Sequence, residues 1–254
     1  MGILNKSARW REPGWWIGAA GLPGFIRMLL IASSSSGRWG ALPPYMWARV
    51  NADALVLESI AIVIAAPLVG VMAVRRGQIG GGRIARACGT IAVAFVLGAV
   101  VSCVALQPAA HLTALLPPYS TLLLAALAMC SIGAAAAAWL DHLLDAAALG
   151  LVVSLALGLG LFAAGPLLDG APLALVNAAL LASPVVATAS AADIDLLRGD
   201  PLYRFSPIAH SQFDYPAWPA ACATYAAIAV VCFAFLVMTS SNRGRTLSAE
   251  RITV

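Results

Sequence analysis

Charge is what this chain has least of. Aspartate, glutamate, lysine and arginine together make up 10% of its 254 residues, where a soluble domain carries roughly 25%. So little polar surface cannot coat a water-soluble globule, and 61% of the residues are hydrophobic. The composition therefore excludes a soluble fold and predicts an all-α polytopic membrane protein. Lysine is scarcer still: Lys6 stands alone, and arginine carries nearly all the positive charge. Without a lysine further along, no GxxxxGK[ST] phosphate loop can exist, so the chain does not hydrolyse ATP by itself. The net charge of +4 is spread over short loops with no interleaved aromatics, which argues against a nucleic-acid partner.

Other chemistry is missing too. The five cysteines (Cys88, Cys103, Cys130, Cys222, Cys232) form no CxxC pair and fall in or beside apolar runs, where cysteine acts as a small hydrophobe. His111, His142 and His210 stand on separate loops with no HExxH, so no metal site is expected. GxSxG is absent as well, which removes one serine-hydrolase signature. The Asp141–Asp145 stretch, DHLLD, reads as a hydrated acidic turn.

What is present is a series of apolar runs long enough to cross the roughly 30 Å hydrocarbon core. They cover Trp15–Ser33, Ala54–Val74, Thr90–Leu106, Tyr119–Leu140, Ala146–Ala164 and Ala220–Met238. The first follows Lys6, Arg9 and Arg11 and contains Pro23 and Arg27. It is too long and too broken for a signal-peptide core and reads as an uncleaved span. A seventh stretch, Leu173–Ala192, carries Asn177, Ser183, Pro184, Thr188 and Ser190.

Basic residues settle how that stretch is used. Lys6, Arg9 and Arg11, then Arg75, Arg76, Arg83 and Arg86, then Arg243, Arg245 and Arg251 share the cytoplasmic side only if six spans separate the termini. Both termini are then cytoplasmic, and Leu173–Ala192 becomes a re-entrant pair of half-helices buried against protein. The organisation expected is one transmembrane domain: cytoplasmic ends at 1–13 and 240–254, a cytoplasmic loop at 74–89, and an extracytoplasmic hairpin and loop at 173–218. Alanine, glycine and arginine in place of lysine point to a GC-rich bacterial source, hence the inner membrane.

Two ionisable residues lie inside apolar runs, Arg27 and Glu58. Burying either one bare is costly, so such a residue is a functional candidate by default. Glu58 either pairs with Arg27, holds a kink, lines a substrate path or snorkels to the interface. The arginines at 75–86 around the triple glycine GGG read equally as topogenic charge or as a docking segment for a partner.

The later pattern brings a family into view. LVNAALLASPVVATASAADIDLLRGDPLYRFSPIAHSQFDYPAW places Asn177 and Pro184 in a hairpin, then Asp193 or Asp195, Leu202-Tyr203, Ser206-Pro207 and Tyr215-Pro216 before the last span. With the preceding order of spans, this resembles the permease subunits of bacterial type-2 ABC transporters. The spacing of Asn177 and Pro184 is longer than the compact Asn-Pro of such permeases. The resemblance implies a permease, an exporter, working beside a second copy or a paralogous permease. Separate cytoplasmic P-loop ATPase subunits would bind ATP and Mg; this chain needs no cofactor and carries no catalytic residue. Arg75, Arg76, Gln78, Arg83 and Arg86 would couple to the ATPase, and Asn177, Pro184, Tyr203 and Tyr215 would belong to an external gate. The competing expectations are a membrane enzyme using Glu58, Asp141, Asp145 or the Asp193, Asp195 and Asp200 carboxylates, and a non-catalytic assembly or immunity subunit.

Overall fold

The computed structural model describes residues 15–34, 44–75, 81–106, 112–164, 168, 171–197 and 213–252. All the regular structure among them is helical. In chain order the helices are α1 (Trp15–Ser34), α2 (Pro44–Arg75), α3 (Gly81–Leu106), α4 (Leu112–Trp139), α5 (Leu143–Ala163), α6 (Leu173–Ala182), α7 (Pro184–Ala191) and α8 (Trp218–Ile252). Five of them contain stretches long and apolar enough to cross a bilayer: α2, α3, α4, α5 and α8. The apolar stretch of α1, Gly18–Ser33, is shorter, and α6 with α7 forms a pair bent by 86°. The chain is an all-α polytopic membrane protein.

α4 is the centre of the bundle. Its apolar stretch is 72% buried, against 22% for that of α8, so α4 is packed on most sides while α8 presents most of its surface outward. α4 lies chiefly against α2 and α8, and α1 lies chiefly against α3. The core between them combines Leu122, Ala126 and Met129 of α4 with Ile62 and Ala66 of α2 and Ala92 and Phe95 of α3.

Small residues let backbones touch. A Cβ placed on Gly133 of α4 would stand 1.9 Å from the Pro67 carbonyl oxygen of α2, and one on Gly70 would stand 1.9 Å from the Cys130 carbonyl oxygen. Gly150 of α5 joins the same junction, its Cβ position 3.2 Å from the Gly133 Cα. α1 meets α3 in the same way, with Gly98 against the backbone of Ala20. Without a hydrophobic drive between helices in lipid, such close backbone packing is a principal source of their association.

The helices outrun the apolar runs that predict them. α2 begins at Pro44, ten residues before Ala54, and α3 begins at Gly81, nine residues before Thr90. The reason is packing: Ile84 and Cys88, one turn apart on α3, are both buried. α4 begins at Leu112 and carries Pro117 and Pro118. Both prolines fall in the opening turns of α4, and the hydroxyls of Ser120 and Thr121 donate to the Pro117 carbonyl, at 3.0 and 2.9 Å. α5 starts at Leu143 with His142 as N-cap and Asp145 in its first turn, where a carboxylate complements the helix dipole. α8 runs on to Ile252, so the segment expected as a tail from 240 is helical to that point.

Candidate functional site

The most polar place in the bundle lies where α1, α2, α3 and α4 meet. Arg27 of α1 and Glu58 of α2 are both fully buried, and an Arg27 Nη1 proton goes to Glu58 Oε1. The same Nη1 donates to Ser102 Oγ of α3 at 2.9 Å, and Nη2 donates to the Tyr119 hydroxyl of α4 at 2.5 Å. Beside this group Cys103 Sγ of α3 faces Asn51 Oδ1 of α2 at 3.9 Å. Each helix therefore contributes one polar group to a single guanidinium.

Position along each helix explains why the group is dry. Arg27 lies about 10 Å of helix before the end of α1, and Tyr119 about 10 Å after the start of α4, at 1.5 Å per residue. Both lie within apolar helical stretches, Gly18–Ser33 and Thr113–Trp139. A guanidinium left bare there costs roughly 3 kcal/mol or more, and the carboxylate cancels its charge. Two atoms of the pair remain without a partner: Arg27 Nε and Glu58 Oε2. The junction is neutral but not saturated.

A second group of contacts holds the bent pair. Ser183 separates α6 from α7, and Pro184 opens α7 at a position where its missing N–H is harmless. Ser183 Oγ donates to the Gly158 carbonyl of α5 at 2.8 Å, and the Tyr225 hydroxyl of α8 donates to the Leu181 carbonyl at 3.1 Å. α7 ends in a Schellman-type cap: Asp193 has φ 57°, its N–H reaches the Ser190 carbonyl, and the Ile194 N–H reaches the Ala189 carbonyl. The segment beyond folds back to the start of α8. Tyr215 donates to Asp195 Oδ1 at 2.5 Å and accepts from the Leu197 N–H at 3.1 Å, while Ser190 Oγ donates to the Pro216 carbonyl at 3.0 Å. Phe213 meets Tyr215 edge-on, with ring centroids 5.2 Å apart.

Of the residues expected from sequence, Arg27 and Glu58 are brought together. Asn177 and Pro184 lie on α6 and at the start of α7, and Asn177 Oδ1 is buried without a partner. Tyr215 sits in the segment before α8 as described, and Tyr203 and Asp200 lie outside the described residues. Arg75 closes α2, and Arg83 and Arg86 stand in the first two turns of α3, with Arg86 exposed. Arg76 and Gln78 lie outside the described residues, as do Lys6, Arg9 and Arg11. Asp141 and Asp145 flank the N-cap of α5, far along the chain from Glu58, and among the described residues no three metal-binding side chains converge.

Sequence reading missed Ser102, Tyr119 and Tyr225. The hydroxyls of Ser102 and Tyr119 look like ordinary span residues, and only a register between helices reveals that they face Arg27. Two open grooves are apolar. One, of about 280 Å³, lies between α4, α5 and α8 beside Trp139, and the other, of about 270 Å³, lies between α5 and α6. Neither offers a charged group to a ligand. No family model matches the chain, and no curated protein or solved structure is similar to it.

Proposed function

We propose that this chain is the membrane-spanning permease subunit of an ABC-type exporter, driven by ATPase subunits on separate chains. The observation that carries the reading is the 86° bend between α6 and α7, directly before the last span. A helix pair bent this sharply and tied to its neighbours by Ser183 and Tyr225 suits a re-entrant hairpin better than a crossing. With α1 through α5 and α8 as the spans, the count is six and the termini share the cytoplasmic side of a bacterial inner membrane. The hairpin with Asn177 and Pro184, together with Tyr203 and Tyr215 after it in sequence, then belongs to the external gate.

On that topology Arg75, Arg76, Gln78, Arg83 and Arg86, which lie in sequence between the apolar runs Ala54–Val74 and Thr90–Leu106, are cytoplasmic, and an ATPase subunit docks there. Arg83 and Arg86, in the opening turns of a helix that reaches Ser102, are well set to pass movement inward. A second permease, identical or paralogous, completes the pathway. Exchange of ATP and Mg happens entirely in the partner subunits.

The test is co-purification with any P-loop ATPase encoded beside this gene. Wild type is expected to co-elute with it, and Arg83→Glu with Arg86→Glu to elute alone while keeping its own melting temperature. A wild-type chain that recovers no ATPase partner overturns the reading.

A further inference from the structure

We propose that Glu58, Ser102 and Tyr119 form an intramembrane cation site on α2, α3 and α4, which Arg27 of α1 fills as an internal stand-in for guanidinium- or ammonium-bearing amphiphiles. This inference does not depend on the transport reading.

The acceptors of the site all stand on helices other than α1. A carboxylate from α2, a hydroxyl from α3 and a hydroxyl from α4 converge on one point, and α1 contributes to them a single cationic group. That is the donor–acceptor pattern of a site for a flat cation with several N–H groups. Ser102 already gives its own proton to the Ala99 carbonyl at 2.9 Å, so its oxygen stands ready to accept.

Arg27 does not saturate the site. Glu58 Oε2 is buried and unpartnered, and so is Arg27 Nε. The pair meets through one nitrogen and one oxygen rather than as the two-pronged arrangement that makes such pairs strongest. A freely positioned alkylguanidinium can offer two N–H groups to the two carboxylate oxygens, which a side chain anchored on α1 does not.

α1 is also the helix best able to yield the place. Its apolar stretch is shorter than the five others, and Phe25, Met28 and Leu29 on its outer side are more than half exposed. It meets α3 backbone on backbone at Ala20 and Gly98, and also through the Arg27–Ser102 hydrogen bond that a shift of α1 would release. Arg27 lies close enough to the end of α1 for its long side chain to reach the headgroup level when the helix shifts. Because the site lies among apolar helices, its ligand carries an apolar tail.

Butylguanidinium is the probe, with butylurea as the neutral control of similar shape. In nanodiscs, the Arg27→Ala chain is expected to gain thermal stability saturably with butylguanidinium, at concentrations about tenfold below any effect of butylurea. Arg27→Ala with Glu58→Gln is expected to show no such gain. Equal responses to the two compounds, or an equal response in the double variant, overturn the proposal. If Arg27→Ala does not accumulate folded, the wild type decides by hydrogen exchange. Saturating butylguanidinium is expected to speed exchange over Gly24–Ser33 while α4 keeps its rates, and unchanged exchange of α1 overturns the proposal.

Discussion

The Tyr225 hydroxyl of α8 donates to the carbonyl oxygen of Leu181, at 3.1 Å, in the last turn of α6. The last carbonyls of a helix have no N–H of their own to meet, and here α7 leaves at 86°. Tyr225 supplies the missing donor from another span. Tyr225→Phe is expected to lower stability by about 1–3 kcal/mol, the cost of an orphaned buried carbonyl, read as a fall in melting temperature. Ser183→Ala is expected to cost less, about 0.5–1.5 kcal/mol, because the Gly158 carbonyl it contacts lies inside α5 and already has a helical partner.

The Arg27–Glu58 pair gives a sharper contrast. Glu58→Leu alone leaves a buried guanidinium uncompensated and is expected to cost about 3–5 kcal/mol. Arg27→Met together with Glu58→Leu removes both charges and is expected to recover most of that loss. Denaturant unfolding of the three chains in one detergent measures the difference.

The glycines divide into two sets. Gly133→Ala and Gly70→Ala force a methyl group into a carbonyl at 1.9 Å, and each is expected to cost at least about 1–3 kcal/mol as the helices part. Gly21→Ala and Gly89→Ala meet nothing within 4 Å and are expected to leave stability level or raise it by about 0.5–1 kcal/mol through helix propensity. Melting temperatures of the four variants check this directly.

Tyr215 holds the segment after α7 to the segment before α8. Tyr215→Phe removes the acceptor of the Leu197 N–H and the donor to Asp195. Exchange of the Leu197 amide is expected to quicken by about tenfold, with the α4 amides unchanged. Mass-spectrometric exchange on a peptide covering 193–197 reads it.

How much of this was legible in the sequence depends on the residue. Arg27 and Glu58 announced themselves, because an ionised side chain in an apolar run has few ways to exist. Pro184 and its small polar neighbours likewise marked a break in an apolar stretch, and the helices divide at Ser183. Helix ends were read short at Pro44, Gly81 and Leu112, since hydropathy reports where lipid contact ends and not where helical hydrogen bonding ends. Ser102 and Tyr119 were invisible for a different reason. Their chemistry is ordinary, and only the rotation of α3 and α4 about their axes turns them toward Arg27. Gly70 and Gly133 belong with them: the close approach is a property of two helices, and one run of residues cannot display it.

The unbroken course of α8 has a mechanical meaning. Its 35 residues make a rod of about 52 Å at 1.5 Å per residue, and Tyr225 stands about 40 Å from its far end. The bent pair is fastened near one extremity, at Tyr225, and α4 supports the rod. A tilt of about 5° there sweeps the Ile252 end through roughly 3–4 Å, by the same rise per residue. Because α8 also lies along α4, a tilt that starts at the bend is shared with the central helix.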